Sequence, residues 1–201
     1  MVAELQVLTV TAATIGFVHT LLGPDHYLPF LVIGKARNWP LSKTIGLTLL
    51  CGIGHVLSSI ALGYLGIALQ WKVCELVSFE SFRGNLAAWA LITFGLLYAL
   101  WGIRHWYRKR ASHSHDDHLS TDSKNLTPWV LIIIFVLGPC EPLIPILMYP
   151  AASVNTMSLV IVSSVFAIVT LSTMVVMVAF PSFLLRKVKL GSLALFSHAL
   201  A

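Results

Sequence analysis

Five stretches of this chain run apolar for about 20 residues or longer, at roughly 3–33, 43–69, 85–106, 128–149 and 156–182. A helix rises ~1.5 Å per residue, so ~20 apolar residues cross the ~30 Å hydrocarbon core of a bilayer. In lipid only helices and closed barrels satisfy their own backbone groups, and runs this long without two-residue alternation are helical. The chain is therefore expected to be an all-α polytopic membrane protein with the lipid bilayer as its first partner. Composition agrees: 10% of residues are charged and mean hydropathy is +0.85, where a soluble domain carries about 25% charged residues. The net charge of +5 does not mark a nucleic-acid partner, because the basic residues fall in short gaps between apolar runs rather than on a basic face interleaved with aromatics. Cys51, Cys74 and Cys140 are odd in number and widely spaced, which does not make a disulfide framework.

The first run is too long for one straight span, and Gly23-Pro24 lies inside it. Proline lacks the amide hydrogen and clashes with the preceding turn, so a long half-helix, an irregular segment and a second half near 27–33 are expected. The fourth run holds a similar element, Leu137-Gly138-Pro139-Cys140-Glu141-Pro142. Helices 1 and 4 are thus expected to be broken, with Gly23, Pro24, Gly138 and Pro139 as hinges.

Orientation follows from the cations. Lys35, Arg37 and Lys43 follow the first run; Arg104, Arg108, Lys109, Arg110 and Lys124 follow the third; Arg186, Lys187 and Lys189 follow the fifth. Lys72 and Arg83 alone occupy the second gap. The positive-inside rule places the N-terminus outside and the three basic gaps in the cytoplasm, as in a multi-pass protein of the cell (inner) membrane.

Shifted by 115 residues, the chain pairs Leu22-Gly23-Pro24 with Leu137-Gly138-Pro139, Leu28 with Leu143, Ile53 with Ile168, Leu69 with Leu184 and Lys72 with Lys187. A repeat of three spans must invert in the membrane, and inverted repeats with paired broken helices point to a secondary transporter with a mid-membrane site. The expected organisation is a first three-span repeat over 1–110, a loop over 111–127, and a second repeat over 128–201. The third span starts near Gly84 and Asn85, so its counterpart would begin near Ala199 and Leu200; a sixth span is expected to be missing.

The polar residues inside these runs carry the chemistry. His19, Asp25 and His26 surround the first break, His55 lies in the glycine-rich Gly52-Ile-Gly54-His55 of the second span, and Cys140 and Glu141 follow the second break. A carboxylate at the bilayer centre costs about 2.5–3.5 kcal/mol on insertion scales, and such a residue has a partner or a task. Imidazole, carboxylate and thiol together suit a divalent transition metal. Between the repeats, His113, His115, Asp116, Asp117 and His118 form a weak, exchangeable metal-capture cluster on a polar loop.

His19, five intervening residues and Asp25-His26, a histidine in a glycine-rich second span, a His-rich loop and Gly138-Pro139-Cys140 together resemble the nickel/cobalt transporter and exporter group, including urease-accessory-type membrane proteins. That group lies in a superfamily with cytochrome c biogenesis thiol-disulfide proteins and sulfite-exporter-like proteins. The family's nickel motif has four residues between the first histidine and Asp-His, where this chain has five. The resemblance implies a six-span inverted repeat and Ni(II) or Co(II) as transported substrate, with no permanently bound cofactor and no catalytic residues. Proton coupling would follow from deprotonation of the ligands, and a cytoplasmic His-rich loop suits capture before export. Alternatives are a thiol-disulfide carrier using Cys140 with Cys51, an exporter of a small sulfite-like anion, and an accessory protein that assembles with another subunit or with copies of itself.

Overall fold

The computed structural model describes residues 2–111, 123–138, 140, 142–153 and 156–187. His113, His115, Asp116, Asp117, His118, Pro139, Glu141 and the stretch expected to precede a sixth span lie outside the described residues. Within them the chain is helical: α1 (Val2–Leu22), a 3-10 turn (Pro24–His26), α2 (Leu28–Ala36), α3 (Leu41–Ala68), α4 (Val73–Ala111), α5 (Ser123–Leu137), α6 (Leu143–Ser153) and α7 (Thr156–Lys187). Four helices, α1, α3, α4 and α7, are long and apolar enough to cross a membrane.

Both breaks fall where Gly-Pro stands. The amide of Gly23 makes the last α-helical bond, to His19 O at 2.9 Å. Pro24 has no N–H to continue the ladder, and the chain tightens into 3-10 bonds from His26 N to Gly23 O and from Tyr27 N to Pro24 O. Pro29 opens α2, at a position where a missing N–H costs nothing. α5 ends at Leu137 and α6 begins at Leu143, so the fourth run is also two helices. α2 and α3 end by one device: Asn38 and Gln70 take positive φ, and Trp39 N and Trp71 N reach back to Gly34 O and Gly66 O, each at 2.9 Å.

α4 overturns one expectation. It begins at Val73, not near Gly84. Glu75, Glu80 and Arg83 interrupt the apolar run in sequence, but Leu76 and Glu80 are fully buried and Arg83 pairs with Glu80 one turn away at 2.9 Å, so the helix extends inward through them. Arg83 is consequently part of the bundle and not a loop cation marking topology.

α1 lies along α7, α3 packs between α7 and α5, and α6 covers α3 and α7. Two apolar clusters result. One joins Phe30, Ile33, Leu47, Cys51, Leu131, Phe135, Met174 and Val178; the other joins Ala12, Cys140, Leu143, Leu147, Val162 and Phe166, with Ile60 and Tyr64 against it. Along every helix that contributes to both, polar residues lie between. On α3, His55 and Ser59 separate Cys51 from Ile60; on α7, Thr170 separates Met174 from Phe166. His55 is the fifteenth of the 28 residues of α3, so this polar layer sits at the middle of the bundle. The outward faces carry Val10, Trp89, Leu97, Leu100, Ile168 and Phe180, side chains suited to lipid.

Candidate metal centre

The first break delivers His19 from the last turn of α1 and His26 from the 3-10 turn. α3 delivers His55 from its midpoint. The three rings meet edge to face, with His26 in the middle: its centroid is 4.8 Å from that of His19 and 5.2 Å from that of His55. One ligand atom each from His19, His55 and Cys140 lie within 4.8 Å of one another. Ligands around a tetrahedral ion, at ~2.0–2.3 Å from it, stand about 3.3–3.6 Å apart, so closing on an ion takes a movement of about 1 Å.

The hydrogen bonds assign the tautomers. Among the described residues His55 Nδ1 has one hydrogen-bond partner, the Phe135 carbonyl at 3.3 Å, an acceptor, and therefore carries the hydrogen. His26 Nδ1 faces Gly23 O and Asp25 Oδ1, both at 3.2 Å, and these too are acceptors. In both rings the lone pair is left on Nε2. The Nε2 atoms of His19, His26 and His55 are all buried and meet no hydrogen-bond partner among the described residues. A buried polar atom left unpartnered costs about 1–3 kcal/mol, and here three lie on rings in contact with one another. An imidazole whose other nitrogen is held by a carbonyl or a carboxylate is the arrangement that metal-ligating histidines adopt.

The glycines make this arrangement possible. A Cβ at Gly23 would lie 2.6 Å from His26 Nδ1, and one at Gly138 would lie 3.2 Å from His55 Nδ1 and from Phe135 O. Each hinge glycine therefore clears the space in which one imidazole sits.

A cavity of about 490 Å³ opens beside the histidines. His19, Asp25, His26 and His55 line one wall, and Ser81, Asn85 and Leu91 of α4 line the other. Ala87, Ala88, Ile134 and Phe135 complete its lining.

The sequence-derived candidates divide accordingly. His19, His55 and Cys140 bring ligand atoms together, and His26 packs its ring between those of His19 and His55. Asp25 stands at the edge, its side chain 63% exposed, with its carboxylate turned to His26 Nδ1. Glu141 and Pro139 lie outside the described residues. Sequence reasoning missed Ser81, Asn85, Glu80 and Arg83. Their signal was an acidic and a basic residue three apart beside an apolar run, which on a helix is one paired face and not a gap.

Comparison with family models, with curated proteins and with solved structures gives no match.

Proposed function

We propose that the protein is a secondary transporter of a divalent transition-metal cation, with nickel or cobalt first, which binds in the middle of the bundle between the two broken helices. The observation that carries the reading is that His19, His55 and Cys140 bring ligand atoms within 4.8 Å of one another, where the buried Nε2 atoms of His19, His26 and His55 meet no hydrogen-bond partner among the described residues and the three histidines line a cavity. Nitrogen donors with one thiol suit borderline metals and disfavour magnesium or calcium, which take oxygen. Nickel or cobalt is preferred on the sequence resemblance.

Several features support the inverted repeat. Adding 115 to the end of α1 (Leu22), the start of α2 (Leu28) and the start of α3 (Leu41) gives Leu137, Leu143 and Thr156, which are the end of α5 and the starts of α6 and α7. The packing follows the same shift: α1 on α7 corresponds to α5 on α3, α2 on α3 to α6 on α7, and α2 on α7 to α6 on α3. Two halves related in this way and meeting at the histidines suit alternating access by rocking one half against the other. A thiolate ligand gives up its proton when metal binds, which would couple transport to protons. Cys51 and Cys140 belong to different apolar clusters, an arrangement that favours the cation reading over a thiol-disulfide carrier.

Reconstituted vesicles provide the test. Radioactive nickel or cobalt is expected to accumulate through the wild-type protein and not through His55→Ala. Equal fluxes in the two, at matched protein content, would overturn the reading.

A further inference from the structure

The two breaks are closed differently. The first is held by its own backbone and by His26: Gly23 N bonds His19 O, and Gly23 O accepts from His26 N and faces His26 Nδ1. The second has backbone bonds of its own, from Gly138 N to Phe135 O at 3.1 Å and from Leu143 N to Cys140 O at 2.9 Å, and is in addition held from outside. His55 of α3 donates to Phe135 O, Ser59 of α3 accepts the Cys140 amide at 3.2 Å, and Arg83 of α4 donates through Nη2 to Val136 O at 3.0 Å. Val136 O is among the last four carbonyls of α5, which have no partner within the helix. A cation there also opposes the negative end of the helix dipole.

Arg83 is itself fixed on both sides. Nη1 donates to Glu80 Oε1 at 2.9 Å, and Nη2 also donates to Ser58 Oγ at 3.0 Å. Ser58 Oγ in turn donates to the His55 carbonyl at 2.8 Å. Glu80 is fully buried and Arg83 nearly so, with 12% of its side chain exposed. A buried ion pair contributes little net stability over an apolar pair of the same shape, so stability alone does not account for this one. Its geometry does: the guanidinium joins α4, the His55 turn of α3 and the end of α5 at one point.

We infer that Arg83, oriented by Glu80, is a positioning residue for the metal centre. It fixes the second break so that Cys140 is held at ligand distance from His19 and His55, and its release opens the break. The inference rests on the transport reading for the word metal; the mechanical part stands without it.

Arg83→Gln alone removes the cation beside the buried Glu80 carboxylate and risks misfolding, so the paired variant Glu80→Gln/Arg83→Gln carries the experiment. It removes both charges and keeps similar volume. The protein is purified in detergent in a Cys51→Ala/Cys74→Ala background, and folding is checked by a single monodisperse elution peak. Two readouts are taken: the rate at which N-ethylmaleimide alkylates Cys140, and the absorption spectrum with Co(II) added. Alkylation is expected to be at least tenfold faster in the paired variant, with the thiolate-to-cobalt charge-transfer band lost while the visible bands of histidine-bound cobalt persist. Ser58→Ala, which removes one of the three Arg83 contacts, is expected to fall between. An alkylation rate within twofold of the parent, or a retained charge-transfer band, would overturn the positioning role. No cobalt spectrum in the parent would overturn the metal reading instead, and the alkylation rates would then decide the role of Arg83 alone.

Discussion

His55 and Phe135 are joined across the bundle by a bond from imidazole Nδ1 to a backbone carbonyl, 3.3 Å long, and this bond does two things at once. It gives a second donor to a carbonyl at the end of a broken helix, which also accepts from Gly138 N at 3.1 Å, and it leaves the other ring nitrogen buried and without a hydrogen-bond partner among the described residues, on a residue that lines the cavity. Metal drawn to Nε2 makes Nδ1–H a stronger donor, so occupancy of the site would tighten the second break.

His55→Ala is therefore expected to remove a ligand and loosen the break together. Removing an outer partner of a metal ligand costs ~10–100-fold in affinity, and losing the ligand itself should cost on the order of 100-fold or more. Equilibrium dialysis of purified protein with Ni(II) or Co(II) measures this. Affinity within threefold of wild type would mean that His55 is structural.

Gly23→Ala probes the first break by steric means. Its φ of −91° is open to any residue, so backbone strain is not at issue; the new methyl would collide with His26 Nδ1 at 2.6 Å. His26 must move, and metal affinity is expected to drop by about tenfold or more, as for loss of a positioned ligand. Gly46→Ala is the control, since nothing lies within 4 Å of its Cβ and alanine in a helix is favoured over glycine by ~0.5–1 kcal/mol. The expected result is unchanged metal binding with an equal or higher thermal midpoint for Gly46→Ala. Equal metal affinity in the two variants would show that the His26 position does not matter.

Asp25 separates orientation from ligation. Its Oδ1 lies 3.2 Å from His26 Nδ1 and its side chain is largely exposed, so Asp25→Asn keeps an acceptor and removes only charge. A loss of about tenfold or less in metal affinity is expected, the low end for an outer partner, against the much larger loss in His55→Ala. If Asp25→Asn proves the more damaging of the two, the carboxylate is a ligand.

Much of this architecture was legible in the sequence because membrane helices are declared by length and hydropathy, and a Gly-Pro inside such a run has few outcomes. The breaks at Gly23 and Gly138 belong to that class, whereas His26 and His55 were grouped by the chemistry of their side chains. The start of α4 was not legible: Glu75, Glu80 and Arg83 look like a loop in a one-dimensional count. Only packing reveals that Glu80 and Arg83 neutralise each other against Ser58 and Val136. That His19 turns inward while Asp25 stays at the edge was hidden for a related reason. Spacing from His19 to Asp25 has no fixed meaning across a helix break, because the 3-10 turn rotates His26 back toward His19 and leaves the intervening carboxylate at the rim.

Proton release tests the thiol. A free cysteine at pH 7 is mainly thiol, and the form that binds metal is the thiolate, so each metal bound through Cys140 displaces about one proton. A neutral imidazole binds through a lone pair it already has and releases none. The sign follows: lowering pH adds protons that compete for the same donors, so metal affinity falls toward acid, and each proton displaced adds about one to the slope of log K against pH. Titrating purified protein with Co(II) in a weakly buffered solution containing a pH dye should register about one proton more per metal for wild type than for Cys140→Ser. Serine keeps the approximate size, and its hydroxyl stays protonated. Identical proton release in the two proteins would remove Cys140 from the ligand set and leave a site made by histidines alone.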